Sequence, residues 1–177
     1  QDLNADGALT AGEPQTVTAA DGSYLFAGQA YGTKSIRVVP QTNWAVTTPA
    51  TGVAAFLLLN GQNRTAVGFG LREQVGDVRG IVLDDANGNG VQDPGELPLS
   101  GMTVFVDLNH DGQLTAGEPV TATAADGSWS FVRLPVGTYS VIHVLPADRI
   151  AAVGRPVIRS LTVGIGTVSV ADFFTLI

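Results

Sequence analysis

The sequence predicts an all-β protein built as two antiparallel sandwiches in tandem. Three observations carry that expectation: short segments in which apolar and polar residues alternate, Asp-Gly signals between them, and an internal duplication. Composition agrees. Among 177 residues, 22 Gly and 9 Pro interrupt helical stretches, while 45% hydrophobic residues suffice for a core.

The duplication sets the domain plan. DLNADGALTAGEPQTVTAADGSYLF (residues 2–26) realigns with DLNHDGQLTAGEPVTATAADGSWSF (107–131), 105 residues later, and YGTKSIRVV (31–39) with VGTYSVIHV (136–144). One domain type therefore occurs twice, as a first repeat over 1–73, truncated at its N-terminus, and a complete second repeat over 77–177. The segment REQVGD (72–77) joins them and is too short for a flexible tether. The first repeat lacks a counterpart of everything before about residue 106, and the chain opens on Gln1 with its one Met at 102. It reads as part of a longer or processed polypeptide.

In the complete repeat, alternation places strands at 78–83, 102–108, 120–124, 128–132, 138–144, 157–163 and 167–175. Seven short strands without helical spacing predict a sandwich of immunoglobulin-like or prealbumin-like type. Asp126-Gly127 reads as the turn of a two-residue hairpin between the third and fourth strands, and Asp21-Gly22 repeats it. Trp129 and Phe131, with Tyr24 and Phe26 at the equivalent positions, are expected to fill the cores from one face of a strand.

Several function classes are excluded at this level. Net charge is -7, with a single Lys (Lys34) and eight scattered Arg, which speaks against a nucleic-acid or polybasic membrane footprint. No apolar run approaches a membrane span. Zero Cys removes disulfides, thiolate catalysis and Cys-based zinc sites, and His110 and His143 are poorly placed for zinc. The sequence has no G-x-S-x-G, no H-E-x-x-H and no phosphate-cradling glycine loop, so an enzyme is not expected.

The acidic residues are concentrated instead. Residues 85–96 place Asp85, Asn87, Asn89, Asp93 and Glu96 at positions 1, 3, 5, 9 and 12 of a twelve-residue loop. Residues 107–118 place Asp107, Asn109, Asp111, Thr115 and Glu118 there, and residues 2–13 place Asp2, Asn4, Asp6, Thr10 and Glu13. All three carry Gly at position 6, and position 7, which offers a backbone carbonyl, is Val91, Gln113 or Ala8. This is the spacing of an EF-hand-like calcium loop: alternate side chains converge, glycine permits the sharp turn, and a terminal Glu closes a shell of six to eight oxygens. Nine of the sixteen acidic residues lie in these loops, and their mutual repulsion would loosen a metal-free loop. About two Ca2+ are expected in the complete repeat and one in the truncated repeat. The plainer reading is that Asp, Asn and Gly only form Asx-turns between strands. Dockerin loops share the 22-residue spacing of Asp85 and Asp107, but LPLSGMTVFV and PVTATAADGSWSF oppose the helices that follow those loops.

The chain resembles the B-type domains of serine-aspartate-repeat surface adhesins, related to collagen-adhesin B-type domains. The residues that carry the resemblance are Gly80, Val82, Asp85, Asn87, Asn89, Gly90, Gln92, Asp93, Gly95 and Glu96. Gly101, Val104, Val106, Asp126, Gly127, Trp129, Phe131, Leu134, Gly137, Tyr139 and Val141 continue it. The resemblance implies calcium-binding sandwich modules in series on a bacterial cell-surface or secreted protein, where they stiffen a stalk, adhesin or filament. The loops starting at Asp85 and Asp107 match the family's metal loops. Collagen-adhesin relatives often carry a Lys–Asn isopeptide cross-link, but the second repeat has no Lys, and Lys34 aligns with Tyr139, outside the opening strand.

Two functions follow as expectations. The first is a calcium-stiffened structural repeat, its partners being neighbouring repeats of the same polypeptide or adjacent subunits. The second is a calcium-organised module for an extracellular protein or glycan ligand, for which Trp44 and Tyr31 are the candidate platform residues.

Overall fold

The computed structural model describes residues 1–152 and 157–176. The chain forms two compact units, Gln1–Glu73 and Gln74–Ile177, and every regular element among the described residues is a β-strand. In the first unit, β1 (Gly32–Arg37) pairs antiparallel with β3 (Val53–Leu58), and β2 (Trp44–Thr48) pairs antiparallel with β4 (Gly70–Glu73).

The second unit is a two-layer sandwich. One sheet is built on β5 (Val75–Asp84), which takes β8 (Ser128–Pro135) on one side and, on the other, β12 (Val168–Val170) and β13 (Phe173–Leu176). The short β10 (Ile150–Ala151) extends it beyond β13. The facing sheet runs β11 (Ile158–Val163), β9 (Gly137–His143), β6 (Thr103–Asp107), β7 (Val120–Ala122). Val78, Val82, Trp129, Phe131 and Phe173 from the first sheet meet Val104, Val106, Val141 and Val163 from the second in one buried cluster. Trp129 and Phe131 thus take the expected core positions, with ring centroids 5.7 Å apart. Tyr24 and Phe26 are only half-buried in the first unit.

The alternation that predicted strands works because inner and outer faces differ in polarity, but three details differ from expectation. Asp126-Gly127 does make a tight turn, with Gly127 N–H donating to Ala124 O and Ala124 N–H to Ser128 O. Its flanks then part, β7 joining β6 and β8 joining β5, so the turn is a corner between sheets rather than the tip of a hairpin. The expected strand at 167–175 is split: Asp172 Oδ1 accepts the Ile81 N–H where a backbone carbonyl would otherwise serve. The register on β5 is unbroken across the split, and both pieces run parallel to it, an exception to the antiparallel plan. The two-residue β10 was too short to show periodicity.

Gly80 explains part of the split. A Cβ there would lie 1.9 Å from Ala171 O and 2.7 Å from the Trp129 ring, so only glycine lets the neighbouring chain and the indole close over β5. Gly80→Ala is expected to cost about 3 kcal/mol or more, read as a lowered denaturation midpoint.

The first unit repeats the register of the second. Arg37 opposes Val53 as Ile142 opposes Ile158, each pair 105 residues apart. Asp2 N–H donates to Ser35 O, the rung that Asp107 makes opposite Ser140 in β6–β9. The turn at Asp21-Gly22 also recurs, with Gly22 N–H donating to Ala19 O. No strand flanks it among the described residues.

His143 is 1% exposed at the end of β9, its ring 5.6 Å from that of Phe173, with no hydrogen-bond partner for either ring nitrogen among the described residues. Burial, reinforced by the positive charge of Arg149, pushes its pKa down to about 4. The unfolded chain takes up this proton near pH 6.5, the folded chain only near 4, so stability is full above 6.5 and falls as the pH drops between those values. The loss is expected to reach about 2–3 kcal/mol near pH 4, and His143→Phe should flatten that stretch of a melting-temperature profile.

Candidate metal centres

Each loop begins on a buried aspartate at the end of, or hydrogen-bonded to, a strand. Asp85, directly after β5, is 0% exposed and its N–H donates to Thr175 O on β13. Asp107, the last residue of β6, is 4% exposed, and Asp2, held by β1, is 7% exposed. A carboxylate removed from water needs hydrogen bonds, a counter-charge or a metal ion.

The loop backbones supply the first. Asp85 Oδ1 accepts the Asn89 N–H at 3.1 Å and Oδ2 the Gly90 N–H at 2.7 Å. Asp107 does the same for Asp111 and Gly112, at 3.2 and 3.0 Å. At position 3, Asn87, Asn109 and Asn4 accept the N–H of Asn89, Asp111 and Asp6. Position 5 accepts from position 7: Asn89 from Val91, Asp111 from Gln113, Asp6 from Ala8. Each Glu closes its loop by accepting the position-9 N–H: Glu96 from Asp93, Glu118 from Thr115 and Glu13 from Thr10.

The winding is the same three times. Position 6 is in the left-handed region at Gly90, Gly112 and Gly7, with φ of 72°, 75° and 82°. Position 4 is left-handed too, at Gly88, His110 and Ala5, which sequence reading missed because only the first of these is glycine.

The ligand sets are not identical. Asn87 and Asn89 both aim their side-chain amides at Asp93 Oδ2, at 2.7 and 2.6 Å, and these donors hold the Asp93 carboxyl below its ordinary pKa. In the second loop, Asn109 donates to Asp111 Oδ2 at 3.0 Å and to Thr115 Oγ1 at 3.3 Å. Glu118 uses both oxygens on backbone N–H groups, of Thr115 and Leu108, which lower its pKa; Glu13 does the same with Thr10 and Leu3. Glu96 differs: its Oε1 is buried without a partner among the described residues.

Asp2 Oδ1 is likewise buried and unpartnered, while Oδ2 meets the Arg37 guanidinium at 3.3 Å. Sequence reading missed this cation, whose signal was available: the equivalent position in the second repeat is the apolar Ile142. Asp84 turns away from the loops to pair with Arg149 at 2.8 Å. Asp21 and Asp126 accept the N–H of Ser23 and Ser128 and so cap turns. Trp44 and Tyr31 are 40% and 73% exposed, and no ring contact joins them among the described residues.

Among the described residues, no three His, Cys, Asp or Glu side chains form a ready-made metal cluster. The donor chemistry nonetheless fits a hard cation: the polar side chains offer oxygens, the first carboxylate of each loop is buried, and orphaned oxygens stand at position 12 of one loop and position 1 of another. Removing a buried acceptor leaves backbone donors unpaired, so Asp85→Ala should destabilise the chelator-treated protein by about 2–3 kcal/mol in denaturant titration. The exposed Asp111→Ala should cost under about 1 kcal/mol.

The fold and its wound inter-strand loops define a β-sandwich repeat domain. Residues 73–155 match the SdrD B-like domain. The chain is similar to the serine-aspartate repeat-containing protein D of Staphylococcus aureus strains Newman and MW2, 26% identical over 142 residues. That alignment covers 75% of this chain and 10% of the relative, so the chain spans about a tenth of the length of these relatives. Among solved structures it is similar to GBS52, the minor pilin of Streptococcus agalactiae, with 12% identity, a TM-score of 0.43 and coverage of 74% of this chain and 66% of the other. A streptococcal ancillary pilin gives 22% identity, a TM-score of 0.40 and coverage of 82% and 42%.

Proposed function

We propose that the chain is a pair of structural repeats of a bacterial surface protein, stiffened by Ca2+ held in the inter-strand loops. The observation that carries this reading is the burial of the first carboxylate in each loop, at 0%, 4% and 7% exposure, above a backbone wound around it. A spacer needs rigid joints and no reaction chemistry. Wound loops between strands supply joints, and a divalent ion would tie position 1 to position 12 across each of them. The family of residues 73–155 and the surface-protein relatives support an extracellular setting, where calcium modules with affinities of about 10⁻⁴–10⁻³ M are substantially filled. Neighbouring repeats or adjacent subunits are the expected partners.

In this reading Asp85, Asn87, Asn89, Asp93 and Glu96, with the Val91 carbonyl, hold one ion. Asp107, Asn109, Asp111, Thr115 and Glu118, with the Gln113 carbonyl, hold the second. Each Asn would offer its side-chain oxygen to the cation, and the hydrogen bonds that its amide nitrogen now donates to Asp93 or Asp111 would give way. Asp2, Asn4, Asp6, Thr10 and Glu13, with the Ala8 carbonyl, form a weaker third site, because Arg37 already compensates Asp2.

Millimolar calcium should raise the melting temperature of the chain by several degrees over the chelator-treated sample, about 1–3 kcal/mol of linkage at saturating ion. A melt indifferent to chelator and calcium would remove the stiffening role. Arg37→Ala should sharpen the response of the first unit by freeing Asp2 for the ion, read by calorimetry with and without calcium; an unchanged response would separate Asp2 from any metal.

A further inference from the structure

The sequence contains three Asn-Gly pairs, Asn60-Gly61, Asn87-Gly88 and Asn89-Gly90, and the structure treats them in opposite ways. Asn-Gly is a reactive dipeptide because the glycine backbone nitrogen, unshielded by a Cβ, can attack the preceding side-chain carbonyl. That attack needs a free backbone N–H and a free carboxamide.

Both requirements are blocked in the loop at 85–96. Gly88 N–H donates to Asp85 O at 3.1 Å, and Gly90 N–H is held by Asp85 Oδ2 at 2.7 Å. The carboxamides are held as well: Asn87 accepts from Asn89 N–H and donates to Asp93, while Asn89 accepts from Val91 N–H and donates to Asp93. Reaction at either asparagine would first have to break charge-assisted hydrogen bonds.

Neither block exists at Asn60-Gly61, which lies in the connection between β3 and β4. Gln62 N–H donates to Leu59 O at 3.2 Å, closing a turn with Asn60 and Gly61 at its centre. Gly61 has a φ of 72°, as in a type II turn, and a Cβ built on it would meet nothing within 4 Å. Both residues are exposed, and among the described residues neither the Asn60 carboxamide nor the Gly61 N–H makes a hydrogen bond.

We propose that Asn60-Gly61 is a site of spontaneous deamidation, and that the hydrogen bonds anchored on Asp85 protect Asn87 and Asn89 for as long as their loop stays wound. The Gly61 nitrogen, losing its proton to solvent base, forms a bond to Asn60 Cγ, and the side-chain nitrogen leaves as ammonia. Water then opens the resulting cyclic imide at either carbonyl, giving aspartate or isoaspartate. One water is consumed, one ammonia released, and no oxidant, reductant or enzyme is needed. The product adds a negative charge to the β3–β4 turn and, as isoaspartate, lengthens the backbone there by one carbon.

The test is a peptide map by mass spectrometry after incubating the full chain at mildly alkaline pH, native and in denaturant. In the native sample the Asn60 peptide should split into aspartate and isoaspartate forms, with Asn87 and Asn89 converting roughly tenfold or more slowly. In denaturant the three sites should converge. Native conversion at Asn87 or Asn89 as fast as at Asn60, or an intact Asn60 while denatured Asn87 reacts, would overturn the proposal. Asp85→Ala, if folded, should release Asn89 selectively; if it unfolds, the wild-type comparison decides alone.

Discussion

The burial of one aspartate at the head of each loop is the constraint on which the rest of the structure turns. Asp85 and Asp107 sit at strand ends where Thr175 and Ser140 fix the backbone, so their side chains must point into a space that water hardly reaches. The following residues wrap around these two carboxylates and aim N–H groups at them, through loops whose positions 4 and 6 are left-handed. The loop conformation is therefore a solution to a solvation problem. A cation at the centre would complete that solution, since amide donors offset only part of a buried negative charge.

The sandwich makes those strand ends rigid. Val78 and Val82 of β5 and Val104 and Val106 of β6 are fully buried on the faces that meet, so β5 and β6 enter their loops from fixed positions. Gly80 allows the close approach on which the β5 layer depends, and Tyr139 O–H donates to Pro135 O at 2.9 Å to tie the β8–β9 corner. Stiffness in the core and winding in the loops are thus one mechanical unit. The two loops of the second unit thus start at the ends of rigid strands.

Much of this was legible in the sequence, and the gaps have physical causes. Strand positions followed from alternation most clearly in β5 and β8, which have one buried and one wetter face, whereas β6 and β13 are buried on both. The loops followed from Asp, Asn, Gly and Glu at fixed spacing, and the core roles of Trp129 and Phe131 from their period of two. Sheet partnership did not, since a tight turn such as Asp126-Gly127 fixes local direction and leaves open whether its flanks pair with each other. The Arg37 contact with Asp2 bridges 35 residues, so only the comparison of the two repeats, where Ile142 stands in place of Arg37, could have drawn attention to it. His143 looked like a poorly placed ligand; it is a buried core residue whose ring is tilted at 41° to that of Phe173.

The account stands on convergent oxygens binding a divalent ion, and bound calcium counted directly is its most immediate check. Equilibrium dialysis of the full chain at about 1 mM free calcium, with metal analysis of the retained protein, should return at least about two ions per chain. Asp85→Ala and Asp107→Ala should each remove one of them. A chain that retains no calcium under those conditions, or whose count is indifferent to both substitutions, would contradict the account and leave the loops as Asx-wound connections.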